Sequence, residues 1–377
     1  MEVVFLSYNL IIFGYFMIGL ILIFLKKQKK GIWEKIYLEK EGAQSIESNI
    51  KAETENRLSY KDITIIIGFH NEEKKLPFLL DSILKYIPNE VKIIFVDDRS
   101  SDNSYNIVEE FCKKRKNTTL LKKEKIINKD LSPRQDNIQY ALNYIQTPYF
   151  IVLDADVIIT EYYLDNILTF KKQKFFGYGT TFIHIENPKS IIEYIEYSEL
   201  FFLFINSLIF YLFKLPGSCM GNNLIINTKK FKQINGYKNI GKYIVDDMAL
   251  YHYVYKNFSH KEIEFIPKAK LYTLSYKNLK DHIKQKKRWF FDSIRVSFKY
   301  YKLTFFASIF MFLVFFSIIC NLIINPNPIL HIFLFINSFL LIKTYTILFE
   351  EKQINTIKLS LIFFLEHYFW VILWIIY

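Results

Sequence analysis

Asp154 and Asp156 close the apolar run in FIVLDADVIIT (residues 150–160), two carboxylates separated by a single alanine. A lone aspartate at a strand end is an ordinary turn residue meeting water. A pair at i and i+2 offers more, namely oxygen ligands for a divalent cation that also binds phosphate. Magnesium takes only one or two protein carboxylates and fills its shell with phosphate oxygens and water. Polar clusters in GFHNEE (68–73) and VDDRSSDNS (96–104) follow apolar runs in the same manner. Neither G-x-x-x-x-G-K-S/T nor G-x-G-x-x-G is present, which argues against a P-loop ATPase and a dinucleotide oxidoreductase. Cys112, Cys219 and Cys320 lack C-x-x-C spacing, so neither a disulfide framework nor a zinc site is expected.

The elements that must hold these clusters are legible around them. ITIIIGF (63–69), VKIIFVDD (91–98) and YFIVLDAD (149–156) are continuous apolar runs, the mark of strands buried on both faces. Between them, residues 72–87, 101–115 and 134–145 have helical spacing, and Ser and Asp stand at the start of the second. Strands alternating with helices predict an α/β domain with a mostly parallel sheet. Ligands in such sheets bind beyond the carboxyl ends of the strands. That rim is where residues 69–73, 97–102 and 154–156 are expected.

The ends of the chain have a different character. Residues 3–25 carry no charge and are followed by Lys26, Lys27, Lys29 and Lys30. Since about 20 apolar residues cross a hydrocarbon core, this run predicts an uncleaved anchor. Residues 305–324, 329–349 and 359–377 predict three more spans. Lysine and arginine flank the long polar middle on both sides, among them Lys284, Lys286, Lys287, Arg288 and Arg295. The middle is therefore expected to be cytoplasmic, with both termini outside. Lys343 and Glu366 fall within the last two spans, at roughly 9 and 11 Å from the cytoplasmic side, and are expected to pair. The 14 apolar residues 200–213 are too few to span and read as an interfacial or a core helix; 290–302 read as interfacial.

GFHNEE, VDDRSSDNS, LDAD, GNNLIINTKKFKQINGY, VDD before MAL, and QKKRW occur in one order between residues 63 and 289. Together they resemble the membrane-anchored family 2 glycosyltransferases, the group of hyaluronan, chitin-oligosaccharide and cellulose synthases and ceramide glucosyltransferases. The resemblance implies a GT-A nucleotide-sugar-binding domain with a mostly parallel central sheet, plus four transmembrane helices, one N-terminal and three C-terminal. The corresponding divisions are 1–25 anchor, 26–60 cytoplasmic linker, 61–280 GT-A domain, 281–303 Q-x-x-R-W segment and interfacial helix, and 304–377 three spans. It implies Asn71 and Glu72 near base and ribose, Asp97 with Asp98 at the base, and Asp156 as metal ligand with Asp154 nearer the diphosphate. Asp246 and Asp247 match the acidic pair, with Asp247 as general base. Gln285, Arg288 and Trp289 match Q-x-x-R-W, with Arg288 on the diphosphate and Trp289 facing the acceptor. Asn222 falls in the acceptor-lining stretch.

One departure is Arg134, in LSPRQDNIQYAL, where many relatives carry a phosphate-binding Gly-Lys; Arg134 is expected to substitute. His70 stands where an aromatic or arginine is commoner, and no catalytic role is expected of it. Asp246–Asp247 could also serve simply as a helix N-terminus, where acids are favoured, and QKKRW as a basic patch against anionic lipid.

The expected protein is thus an inverting transferase using Mg²⁺ or Mn²⁺, with a nucleotide-sugar donor, expected to be UDP-linked, and a membrane lipid or growing glycan acceptor. It is expected in the plasma (inner) membrane with its catalytic domain cytoplasmic. A processive synthase that extrudes its product, and a non-catalytic nucleotide-binding scaffold, are the alternatives. The net charge of +12 suits an anionic partner. Its juxtamembrane concentration points to lipid, and nucleic acid is not expected.

Overall fold

The computed structural model describes residues 58–302 apart from 169–175, 179–182, 186–187, 213, 215–220, 222, 267–268 and 276–278, together with Phe339, Lys343, Leu359 and Leu361. Apart from those four positions the expected spans lie outside the described residues, as do Glu366, the expected partner of Lys343, and most of the 26–60 linker. Among the described residues no helix is long and apolar enough to cross a membrane.

Two compact units divide the chain. One comprises Met1–Ser45, Asn187–Glu199 and Phe305–Tyr377. In its described part the Glu193 carboxylate accepts hydrogen bonds from the backbone N–H groups of Lys189 (2.5 Å) and Ser190 (2.8 Å), which satisfies donors a helix start leaves open. The other, Ile46–Glu186 and Leu200–Thr304, carries all the strands found among the described residues.

Those strands are β1 (Ile63–Phe69), β2 (Lys92–Asp98), β3 (Thr118–Lys123), β4 (Tyr149–Asp154), β5 (Val157–Ile159), β6 (Phe176–Tyr178), β7 (Ile183–His184), β8 (Asn223–Asn227), β9 (Ile263–Phe265) and β10 (Leu271–Thr273). The helices of nine or more residues are α1 (Leu76–Tyr86), α2 (Ser104–Lys114), α3 (Pro133–Ala141), α4 (Ile191–Leu212), α5 (Asp246–Asn257) and α6 (Leu279–Tyr300). The main sheet has the order β3-β2-β1-β4-β8-β6-β9, and β5-β10-β7 form a second, small sheet. Strands β3, β2, β1 and β4 are mutually parallel; β8 runs antiparallel to both β4 and β6.

The apolar runs go where their composition requires. Ile63, Ile65, Ile66 and Ile67 of β1 are fully buried, as are Phe150 and Ile151 of β4. The strand order steps outward from β1 to β3 and then restarts on the other side of β1 with β4. That reversal is the switch point at which open α/β sheets bind ligands. Register places Phe69 opposite Asp97 and Gly68 opposite Asp154, so the three strand ends share one rim. Because β8 runs the other way, its first residue, Asn223, pairs with Leu153, and the chain entering β8 arrives at that same rim.

Three details differ from the sequence expectation. The run 149–156 is not one strand. It breaks after Asp154, and Val157 resumes in the small sheet, leaving Ala155–Asp156 in a turn. Helix α3 ends at Ala141 rather than 145, where turn bonds from Asn143 and Tyr144 to Tyr140 and Ala141 take over. Residues 200–212 of the apolar stretch fall in α4; Leu200 and Leu203 pack on the sheet core, with Phe201 and Phe204 fully buried. Of the two readings this stretch allowed, packing there is that of a core helix.

Candidate active site

Two loops above β1 and β2 are stitched together by side chains that cap backbone donors. Asn71, with φ of 56°, is in the left-handed region that asparagine tolerates better than most residues. Its Oδ1 accepts from Ser101 N–H at 2.8 Å, and its own N–H donates to Ser100 Oγ. Glu72 N–H donates to Ser104 Oγ, Glu73 N–H to Asp102 Oδ2, and Asn103 N–H to the Glu73 carboxylate. His70 donates through Nδ1 to the Asp98 carbonyl at 2.7 Å. Asn71 and His70 thus serve first as loop braces.

The paired aspartates at the end of β2 have separate fates. Asp98 is buried against Arg99 Nε (2.9 Å) and Lys123 Nζ (3.3 Å). Lys123, itself fully buried, also binds Asp136 at 2.5 Å and Asn137 at 2.8 Å. Asp98 therefore sits in an internal ion cluster. Asp97 is fully buried; its Oδ1 accepts from Ser100 N–H, while its Oδ2 has no hydrogen-bond partner among the described residues. A buried carboxylate oxygen without a partner is costly, and a donor supplied by a ligand relieves it.

Arg134 is the hub of the site. A capping box between Ser132 and Gln135, with Pro133 at the first position of α3, fixes the helix start and projects Arg134 from its first turn. The guanidinium donates from Nε to Asp154 Oδ1 at 3.0 Å and from Nη1 to Asp246 Oδ2 at 2.5 Å, and Nη2 donates to the Gly221 carbonyl. One side chain thus joins the end of β4, the start of α5 and the approach to β8. Asp156, in the turn after β4, meets the Lys75 ammonium at 3.3 Å, and Glu72 meets the same ammonium at 3.3 Å. Burial raises the pKa of Asp156, and the neighbouring Asp154 adds to this.

Asp246 and Asp247 begin α5, yet they do not cap it: the N-cap is Val245 and no side-chain cap bond forms there. Asp292 of α6 accepts from the backbone N–H groups of Ile244 and of Val245 (3.1 Å), just ahead of the helix. Asp246 is instead spent on Arg134. Asp247 is half-buried, and its pKa is pushed up to about 7, first by burial and then by the charge of Asp246. Gly221 lies flat against it, since a Cβ there would sit 2.7 Å from Asp247 Oδ2.

Gln285, Arg288 and Trp289 all ride on α6, with Arg288 exposed and the Lys286 ammonium 4.6 Å from the centre of the half-buried Trp289 ring. Asp292, one turn further, joins this helix to the acidic pair. Asn222 lies outside the described residues. Lys75, Gly221 and Asp292 were not singled out from sequence. Only Lys75 carried a signal, its i+3 spacing from Glu72.

Residues 64–234 match the family model described as glycosyl transferase family 2. Those residues are similar to family 2 glycosyltransferase domains. Over 100 residues the chain is 30% identical to an undecaprenyl-phosphate 4-deoxy-4-formamido-L-arabinose transferase of Photorhabdus laumondii subsp. laumondii, covering 26% of this chain and 30% of that one. Over 96 residues it is 27% identical to a processive diacylglycerol beta-glycosyltransferase of Mycoplasma genitalium, covering 26% and 27%. The chain spans less than a third of the length of these curated relatives. In fold it is similar to a mannosyltransferase of Pyrobaculum calidifontis solved with GDP-mannose and Mn²⁺, with a TM-score of 0.51 at 12% identity over 79% of this chain and 76% of that one.

The carboxylates on the rim form a donor set that suits a divalent cation. Asp154 and Asp156 are carboxylates each already facing a cation of the chain, Arg134 and Lys75. The Lys75 ammonium stands between two carboxylates as a stand-in ion. Among the described residues no three His, Cys, Asp or Glu side chains form a metal-holding group. Two carboxylates with the remaining ligands drawn from phosphate and water is the usual arrangement for magnesium.

Proposed function

We propose that the protein is an inverting, metal-dependent glycosyltransferase that moves a sugar from a nucleoside-diphosphate sugar, UDP-linked in our reading, to a membrane lipid or growing glycan at the cytoplasmic face of the plasma (inner) membrane. The observation that carries this is Asp247. It is a carboxylate with a pKa of about 7, joined through Asp246 and Arg134 to Asp154 at the switch point of the sheet. A general base works best when its pKa lies near the operating pH.

Asp247 takes the proton of the acceptor hydroxyl as that oxygen attacks the anomeric carbon from the face opposite the diphosphate. The bond to the diphosphate breaks and the anomeric configuration inverts. Asp97, with its partnerless Oδ2, receives an N–H of the nucleotide base. Arg134 holds Asp154 and Asp246 at a fixed separation, so that donor and base meet in register. Arg288, exposed on α6, is free to reach a diphosphate oxygen, and an arginine fork suits that partner. Asp156 and Asp154 would hold a divalent cation, which would supply positive charge against the leaving diphosphate. The membrane assignment is supported by the apolar runs at both chain ends and by relatives named for undecaprenyl-phosphate and diacylglycerol.

Detergent-solubilised full chain incubated with a panel of UDP-sugars, Mg²⁺ or Mn²⁺ and native lipid extract releases UDP in this reading, and Asp247→Asn releases none. Equal release by both proteins overturns the role of Asp247. Release by neither with any donor returns the scaffold alternative.

A further inference from the structure

Lys75 is the residue immediately before α1, with its ammonium 3.3 Å from Glu72 Oε2 and 3.3 Å from Asp156 Oδ2. Its side chain is one-third exposed, so it can leave this position without passing through packed core. It occupies the very carboxylate that the proposed function gives to the divalent cation. An ammonium and a divalent cation both in contact with Asp156 repel each other, and the repulsion doubles with the charge of the divalent ion.

We propose that Lys75 is a tethered counter-ion that holds the place of the divalent cation on Asp156 and is displaced when the cation enters with the donor. Resting on the reading of the site as metal-dependent, this adds an order to it. Without a donor, a metal ion must break both Lys75 pairs and leave the ammonium beside a divalent charge. With a diphosphate present, the released ammonium has anionic oxygens to pair with, and the same exchange becomes favourable. Metal and nucleotide are thereby coupled: each tightens the other by the same factor. Glu72 provides the tether, because at i,i+3 on the same turn it keeps the ammonium near Asp156.

The test is direct binding of Mn²⁺ to the full chain in detergent, read by the loss of the free-ion electron paramagnetic resonance signal, with and without UDP. Lys75→Met is expected to bind Mn²⁺ alone roughly tenfold tighter than wild type, and the extra tightening brought by UDP shrinks by a similar factor. Lys75→Arg, which keeps the charge, stays within about twofold of wild type. An Mn²⁺ affinity in Lys75→Met that is unchanged, weaker or undetectable overturns the proposal. Asp156→Asn separates the two levels. If it abolishes Mn²⁺ binding while Lys75→Met changes nothing, the exchange alone is wrong. If Asp156→Asn binds Mn²⁺ as wild type does, the metal assignment falls and the exchange with it.

Discussion

Gly221→Ala is the sharpest probe of whether Asp247 is the base. The added methyl would lie 2.7 Å from Asp247 Oδ2, 2.8 Å from its Cγ and 2.9 Å from its Cβ, so the whole side chain is opposed, not its tip. Ordinary contact begins at 3.4 Å, which requires the carboxylate or the loop to give by about 0.7 Å. Misplacing a reacting group by 1 Å costs on the order of a hundredfold, so a 0.7 Å shift lowers kcat by about 25-fold, or ~1.9 kcal/mol of barrier. The donor KM stays within about twofold, because Asp97, Asp154 and Asp156 are untouched. Overpacking also costs about 1–3 kcal/mol of stability, so thermal melting accompanies the kinetics to show that the variant is folded. The assay is UDP release under saturating donor and acceptor. A folded Gly221→Ala with kcat within threefold of wild type refutes the placement of the base. A large rise in donor KM at unchanged kcat would instead put Asp247 among the donor-binding groups.

Three more outcomes follow from the same geometry. The rate kcat/KM rises with pH through about 7, where Asp247 loses its proton, and in Asp246→Asn this limb moves to lower pH because a negative neighbour is gone; a limb that stays put or moves upward contradicts the pairing. The folded pKa of Asp247 lies above its ordinary value of 3.8, so the native state binds the extra proton and stability falls as pH rises between about 4 and 7. Asp247→Asn therefore melts higher than wild type at pH 8 and equally at pH 3, as measured by thermal denaturation. Finally, Asp292→Leu strands two backbone N–H groups ahead of α5, costing about 3 kcal/mol and lowering kcat, while Asp292→Asn, which retains an acceptor, recovers most of both; equal losses in the two variants would make Asp292 a packing residue.

The donor half of the site was legible because its strands are buried on both faces. Runs such as ITIIIGF cannot sit anywhere but the middle of a covered sheet, and the acids that follow them must fall on the rim. β3 escaped notice for the opposite reason: an edge strand reading TTLLKK is half polar and looks like the tail of a helix. β8 is five residues, NLIIN, too short to tell from a turn without its partner β4. Side-chain commitments were less visible still. Nothing in VDD tells that Asp97 keeps an empty acceptor while Asp98 is absorbed by Lys123, twenty-five positions away in sequence and adjacent only through the β2–β3 register. Arg134 was picked out as a phosphate ligand by analogy, and its geometry makes it equally a brace between two acids. The acceptor supplied by Asp292 depends on how α6 lies beside α5, and no local pattern reports that.

The reversed direction of β8 has a consequence for how such a protein diversifies. Every parallel strand offers its exit to the rim, whereas β8 offers its entrance, so the segment leading into it is grafted among loops that otherwise all leave the sheet. Among the described residues, that segment meets the ends of β1, β2 and β4 through the Arg134–Gly221 contact and the first rung of the β4 ladder. Its length and sequence can therefore drift, reshaping the surface beside the rim, while the strands that carry Asp97 and Asp154 keep their register.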